Sequence, residues 1–552
     1  MRISNFQFPI FNRVHIILMF IVLLATILRL WQIGNVPPSP DWDEAALGYN
    51  SFSILETGKD EYGKFMPVVL RSFDDYKPAG YAYLIIPFIK ILGLNIISVR
   101  LPSVIFGILT VIATYFLVNE LFKSKKLSLL SAFLLAISPW HIQFSRIAFE
   151  AQVGLSFNIF AILFFLKGLK KPYYLFLSAF FMGANVYIYQ SEKVFTPLLL
   201  IILIAVYHKD LFKVPKKYLA LGSLLGLIVA LPMGWYLLTN HDAFARARGV
   251  SIFSDSSSLN VDVKRVLWDH QHNNTLGLIF DNRRVVFTKE VISNYLSHFN
   301  LNWLFISGDI SRHHAPNMGL LFLAELPFLF IGIYQLLYGN YSKKTKLIIV
   351  LWFLITPIPA SITTGVPHAV RTINFLPLFQ IFTALGILIS FAFLSKFKKV
   401  KNIVIILYSL FFILNITYYL NQYFVQQNYY NATDWQYGYA KIMPTVESIQ
   451  SKYKTIVVSN QPPFDQSYMF FLFYLAYPPQ SYQKEVTNAS GGFRETHNFG
   501  KFAFRPIQWN KEEKNKDILY IGRPSDFPGG ISSLQTALYP NGEEAMKIVS
   551  GK

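Results

Sequence analysis

Eleven apolar runs, each near the length of a membrane crossing, constrain this chain more than any other feature. With edges good to a few residues they cover 14–32, 98–121, 127–144, 151–166, 173–189, 193–207, 218–238, 318–339, 346–361, 370–394 and 402–424. A helix rising 1.5 Å per residue needs about 20 apolar residues to cross ~30 Å of hydrocarbon. Backbone groups in hydrocarbon must be paired within their own segment, so such runs fold as helices. Only 15% of the residues are charged and 53% are hydrophobic, whereas soluble domains have roughly a quarter charged. The expected class is a polytopic α-helical membrane protein. A further apolar segment, 81–92, is short and carries Pro87 and Lys90. It is expected to be re-entrant or to lie along the interface.

The lysines test that choice. Place the N-terminus in the cytoplasm and leave 81–92 out of the crossings. Then Lys123/Lys125/Lys126, Lys167/Lys170/Lys171, Lys209/Lys213/Lys216/Lys217, Lys343/Lys344/Lys346 and Lys396/Lys398/Lys399/Lys401 all fall on one side, as the positive-inside rule requires. Counting 81–92 as a crossing would flip every one of these clusters. The expected topology is eleven spans with the N-terminus inside and the C-terminus outside. The net charge of +19 resides largely in these short juxtamembrane clusters and suits anionic lipid headgroups, which argues against nucleic acid as a partner. The chain has no cysteine, which excludes disulfides and thiolate metal sites.

This divides the chain into a transmembrane domain, 1–429, and an extracytoplasmic α/β domain, 430–552. The latter is expected to hold helices at 434–451 and 464–475 and strands at 455–459 and 517–522. Within the first domain lie a catalytic first outer loop, 33–97, and a large outer loop, 240–317. The cytoplasmic loops are short and lysine-rich, so chemistry is expected on the outer face. The first outer loop opens with Pro40-Asp41-Trp42-Asp43-Glu44. Asp41 followed three residues later by Glu44 reads as a capping box for a helix over 45–56, with Gly58 as its stop. Capping and catalysis are compatible, because a capping Asp41 would set Asp43 and Glu44 on the first turn.

Other outer ionisable groups are Asp74, Asp75, Lys77, Arg146, Glu150, Glu192, Lys193, Arg312, His313, His314, His368 and Arg371. Cations at one interface hold a phosphate, arginine in bidentate fashion and lysine as a point charge. Carboxylates among them deprotonate a hydroxyl or ligate a hard cation. Simpler roles exist for several. Arg146 and Glu150 are four apart and would pair on an uninterrupted helix. Glu192-Lys193 reads as an interfacial pair flanking a span. Adjacent His313 and His314 point to different faces of a helix and do not form a two-histidine site by themselves.

One long first span, an outer loop opening on Asp43-Glu44, Lys77-Pro78 before an apolar stretch, and Arg100-Leu101-Pro102 opening the next span form an ordered set. That order resembles the GT-C superfamily of membrane glycosyltransferases. Within it the chain is most similar to the protein O-mannosyltransferase-like family (glycosyltransferase family 39-like), which includes the lipid A aminoarabinose transferases. The likeness covers about residues 14–240 and, more loosely, 318–424. It implies a GT-C fold for the eleven expected transmembrane helices; with neither retention signals nor eukaryote-type insertions in the sequence, a bacterial plasma membrane is the expected location. The likeness also implies inverting transfer of a hexosyl or pentosyl group from a polyprenyl-phosphate donor to a lipid, glycan or protein acceptor on the extracytoplasmic face. By the same resemblance Asp43 is the base or acceptor-positioning group, with Glu44 beside it and Glu150 a second acid. Lys77 and Arg371 approach the donor phosphate, and Arg146, Arg312 and Asp75 complete the expected substrate-binding set. Relatives often carry an acid directly before the lysine; here Tyr76 intervenes. A divalent metal therefore stays open, with His313 and His314 as candidate ligands, and no other cofactor is expected. The alternative is a transporter or flippase of a lipid-linked glycan, which would carry charges in mid-span cavities.

Overall fold

The computed structural model describes residues 13–73, 75–240, 248–254, 259–486 and 496–551. Among these, eight helices are long and apolar enough to cross a membrane. They are α1 (Arg13–Leu30), α4 (Ile96–Phe122), α7 (Ala151–Gly168), α9 (Glu192–Leu211), α10 (Lys216–Thr239) and the segments Lys343–Ser361, Ile373–Leu394 and Lys399–Asn431. The other three apolar runs form shorter helices. Run 127–144 folds as α5 (Lys125–Ile137) and α6 (Pro139–Phe144), because Ser138 caps a second helix that starts on Pro139, a residue that cannot continue a helical hydrogen-bond ladder. Run 173–189 keeps only α8 (Tyr174–Asn185), and run 318–339 only Leu323–Tyr338. Segment 81–92 is α3 (Gly80–Leu92), 13 residues and roughly 20 Å long; α5 and α8 are no longer than this, so eight helices among the described residues, not the expected eleven, reach membrane length.

The lysine-bearing helix ends gather together. Lys123 and Lys170 both bind Glu120, at 2.6 and 2.7 Å, and Lys344 binds Asp210. Helices α4, α7 and α9 start at the opposite end of the bundle. There α2 (Trp42–Thr57) packs on α3, α4 and the helix Ser467–Tyr474. The expected capping box is present: Asp41 Oδ1 accepts the Glu44 N–H at 2.8 Å, and Glu44 Oε2 accepts the Asp41 N–H at 3.3 Å. Gly58, at φ +71°, ends the helix. Gly48 lets α2 approach its neighbours, since a Cβ there would stand 2.6 Å from Phe473 and 2.8 Å from Val99.

The C-terminal region carries a six-stranded mixed sheet in the order β4-β5-β3-β6-β8-β7. Its strands are β3 (Thr455–Val458), β4 (His497–Phe499), β5 (Phe502–Phe504), β6 (Ile518–Gly522), β7 (Gln535–Leu538) and β8 (Glu544–Ser550). Central β3 is parallel to β5 and β6. The predicted strands at 455–459 and 517–522 are β3 and β6, and the predicted helices are Tyr437–Ile449 and Ser467–Tyr474. One apolar core joins α2 to this region through Phe470, Phe471 and Phe473, so the sheet buttresses the helix that presents Asp43.

Candidate active site

Successive residues on a helix point about 100° apart, so the first turn of α2 sends Asp43 and Glu44 in different directions. Asp43 reaches a cavity of about 130 Å³ whose wall also holds Lys77, Glu150, Tyr189, Gln190, Arg312, His313 and His368. Lys77 is delivered by β2 (Asp75–Pro78), which pairs antiparallel with β1 (Val69–Ser72), and it forms an ion pair with Asp43. Glu150 sits immediately before α7. Arg312 lies over the Trp42 ring, 4.2 Å from its centroid, and donates to Asp41 Oδ2 at 2.7 Å. Asp41 thus caps α2 with one carboxylate oxygen and holds Arg312 with the other.

The charges in this cavity are tuned against one another. Burial disfavours the Lys77 ammonium, but Asp43 and Glu150 outweigh it and hold its pKa above the ordinary lysine value. Burial pushes the Glu150 carboxyl up to about 7, with Lys77 opposing and Asp43 adding to the shift. The cavity therefore combines a carboxylate paired with a lysine and a second carboxyl that titrates near neutrality.

Beside the wall residues His313 and His368, Asp309 Oδ2 receives hydrogen bonds from His313 Nδ1, at 3.0 Å, and from the Ala369 N–H. Burial opposes ionisation of Asp309, but His313, His368 and the Ala369 amide outweigh it and bring its pKa down to about 2. Burial lowers the pKa of His313 despite Asp309, which favours the neutral imidazole. One ligand atom each from Asp309, His313 and His368 lies within 4.8 Å of the others. Two imidazoles and a carboxylate are a donor set suited to a zinc-like divalent ion.

The remaining sequence candidates lie elsewhere. Glu44 is buried against Arg100, which donates to its two oxygens at 2.8 Å each, and Glu44 also accepts the Ala148 N–H. Arg146 is buried and bonds the carbonyls of Leu28, Arg29 and Val36 at 2.8–3.0 Å. It does not pair with Glu150, because the chain leaves the helix between Phe144 and Ala151. Arg371 follows Val370 of the cavity wall, but its guanidinium donates to Thr363 Oγ1 and the Thr364 carbonyl. Asp75 accepts the Tyr76 N–H within the hairpin. His314 bonds the Ala315 carbonyl and is absent from the cavity wall. Asp74 lies outside the described residues. Glu192 is not an interfacial group: it is buried and accepts from the amides of Asn158, Asn185 and Asn374. Three residues at or beside the cavity, Asp309, Tyr189 and Gln190, are not among the sequence candidates. Asp309 had a usable signal, standing four residues before His313; the other two had none.

Residues 76–236 match the family described as dolichyl-phosphate-mannose-protein mannosyltransferase, a stretch that contains Lys77 and Glu150 but not Asp43. No curated protein sequence matches the chain. In structure, ArnT from Cupriavidus metallidurans in the apo state aligns over 97% of each chain with a TM-score of 0.54 at 12% identity. The same protein bound to undecaprenyl phosphate aligns over 97% of this chain and 98% of that one, with a TM-score of 0.54 at 11% identity. The chain has the GT-C fold. At this identity what is shared is the backbone path. In this GT-C chain that path brings α2, β2, the α6–α7 connection and the segments around 312 and 368 to one cavity at one end of the bundle.

Proposed function

We propose that the chain is a membrane glycosyltransferase that moves a hexosyl or pentosyl group from a polyprenyl-phosphate donor to an acceptor hydroxyl at this cavity. The GT-C fold and the match over 76–236 support the class. The observation that carries the reading is the convergence of Asp43, Lys77, Glu150 and Arg312 from four separated segments. Lys77 and Arg312 receive the donor phosphate and stabilise the charge that develops on it as it leaves. An arriving phosphate competes with Asp43 for Lys77 and so frees the Asp43 carboxylate for the acceptor. Asp43 takes the hydroxyl proton while the oxygen attacks the anomeric carbon opposite the phosphate. The sugar–phosphate bond breaks, polyprenyl phosphate departs, and the anomeric configuration inverts. Glu150, whose pKa burial raises to about 7, can pass the proton on.

Asp309, His313 and His368 would hold a divalent cation, which when bound supplies Lewis-acid stabilisation of the phosphate. The proposal also places this end of the bundle and residues 430–552 on the extracytoplasmic side of a bacterial plasma membrane, with the N-terminus cytoplasmic. The acceptor class is a lipid, a glycan or a protein. Incubation of purified protein with labelled polyprenyl-phosphate sugars and a membrane extract tests the reading. Label should move to an acceptor with wild-type protein and stay on the donor with Asp43→Asn; equal transfer by both proteins overturns the role of Asp43.

A further inference from the structure

Between α10 and the segment entering the cavity wall, the chain builds three helices: α11 (Leu259–Gln271), α12 (Thr275–Phe280) and α13 (Arg283–Ser297). Each displays an apolar stripe that nothing in the described structure covers. On α11, Leu259, Val263 and Leu267 follow the i, i+4, i+8 spacing of one helical face, and Val263 and Leu267 are 55% and 56% exposed. On α12, Leu276 and Phe280 are exposed at 66% and 59%; on α13, Ile292 and Leu296 at 53% and 59%.

The exposed Lys and Arg side chains of this arm are Lys264, Arg265, Arg283, Arg284 and Lys289, whereas Asp262, Asp269, Asp281 and Glu290 are buried or half-buried. Arg265 pairs with Asp262 at 3.6 Å and Asp281 at 3.9 Å, so Lys264, Arg283, Arg284 and Lys289 are the cations the arm offers to headgroups. An exposed apolar stripe flanked by exposed cations is the pattern of a helix that lies in the plane of a membrane surface.

The attachment of the arm gives the stripes an occupant. Tyr295 of α13 donates to the Leu354 carbonyl at 2.8 Å, and Phe299 packs on Phe353 with ring centroids 5.4 Å apart. Both partners belong to the membrane-length segment Lys343–Ser361, and Leu354 is itself 44% exposed. The stripe of α13 therefore continues the lipid-facing surface of that span.

We propose that α11–α13 form an interfacial arm that beds its apolar stripes in the leaflet nearest the candidate active site, with its cations on anionic lipid headgroups. The opposite face of α13 holds the cavity wall. His298, directly after α13, bonds the Asn294 carbonyl through Nδ1 at 2.8 Å and accepts the His368 N–H at Nε2 at 3.3 Å. Lipid contact and the His368 segment are thus carried by one helix. The inference does not depend on the reaction assigned to the cavity.

The chain has no cysteine, so Leu267→Cys, Leu276→Cys and Ile292→Cys each give a unique labelling site on the full-length protein. An environment-sensitive fluorophore at each site is read in nanodiscs of phosphatidylcholine and phosphatidylglycerol, with and without a spin-labelled lipid quencher. Leu231→Cys on α10, 65% exposed, is the lipid-facing control. Quenching at all three arm sites comparable to that at Leu231→Cys is expected. Replacing phosphatidylglycerol by phosphatidylcholine should reduce it on the arm alone. Arm sites that stay unquenched while the control is quenched overturn the proposal. A blue-shifted but unquenched label also overturns it, since protein and not lipid then covers the stripe. Arm quenching that ignores lipid charge overturns the headgroup contact.

Discussion

The carboxylates of Asp43 and Glu44 leave the same helical turn and end in opposite surroundings. Glu44 and Arg100 have side chains 0% exposed, while those of Asp43 and Lys77 are 28% and 12% exposed at the rim of a cavity. The donors of Arg100 are fully engaged: Nε and Nη2 on Glu44, Nη1 on the Ile33 and Pro37 carbonyls, and Nη2 also on that of Ser39. Arginine has five N–H groups, so this pair has no capacity left for a ligand. It ties the first outer loop to α4. The Asp43–Lys77 pair can exchange partners, and an incoming phosphate is a natural rival for the lysine. Two adjacent acids thus divide into a fixing pair and a working pair because one is sealed from solvent and the other is not.

The sharpest break of this contrast is on the fixing side. Removing one member of a buried pair leaves an uncompensated charge and costs about 3–5 kcal/mol. Arg100→Ala and Glu44→Ala are therefore expected to give little folded protein on size-exclusion chromatography. A variant that elutes and melts like wild type would remove the structural role.

On the working side, Asp43→Asn should lower transfer about 10²–10⁴-fold, the range of a positioned general base. Its Tm should fall less than that of Glu44→Ala, because the pair is partly open to solvent and Glu150 still opposes the Lys77 charge. A large fall in Tm would place Asp43 with Glu44 instead.

A smaller effect is expected beside the cavity. Asp309→Asn leaves the two histidines in place but removes the carboxylate among the three candidate ligands, which should weaken zinc binding by at least the roughly 10–100-fold that losing an outer partner of a ligand costs, in calorimetry on the purified protein. Equal zinc affinity in both proteins would separate Asp309 from any metal.

The mildest test is a pH profile. The folded pKa of Glu150 is raised from 4.5 to about 7, so between those values the folded state holds the proton more tightly than the unfolded one. This group's contribution to stability therefore falls as pH rises from about 4.5 to about 7 and is level above that. Transfer that needs the Glu150 carboxylate should rise through the upper part of the same window. Glu150→Gln should flatten its share of the stability slope and abolish the rising limb of the rate; an unchanged limb assigns it to another group.

Much of the fold could be read from one dimension. The capping box of α2, its stop at Gly58, the short helix α3 and strands β3 and β6 all rest on local spacing, which a helix or strand realises without help from the rest of the chain. Lys77 is legible in the order of motifs, and Glu150 through the family resemblance that this order carries. Arg146 and Arg371 stand out by charge and place along the chain, yet both Nη groups of Arg146 go to backbone carbonyls and Nη1 of Arg371 goes to Thr363 and Thr364, a competition that spacing cannot reveal. Tyr189 and Gln190 join the cavity only because the α8–α9 connection packs beside β2, where Gln190 bonds the Tyr76 carbonyl.

The sequence by itself determined the membrane-spanning class, the grouping of lysines at one end of the bundle, and the placing of Asp43 and Glu44 on the first turn of a capped helix. These follow from periodicity, hydropathy and side-chain hydrogen bonding over a few residues. The tertiary structure alone decided that Asp43 meets Lys77 in a cavity while Glu44 is sealed against Arg100. Which side of a helical turn is buried depends on what the distant chain packs against it, here α4 on one side and the β1–β2 hairpin on the other.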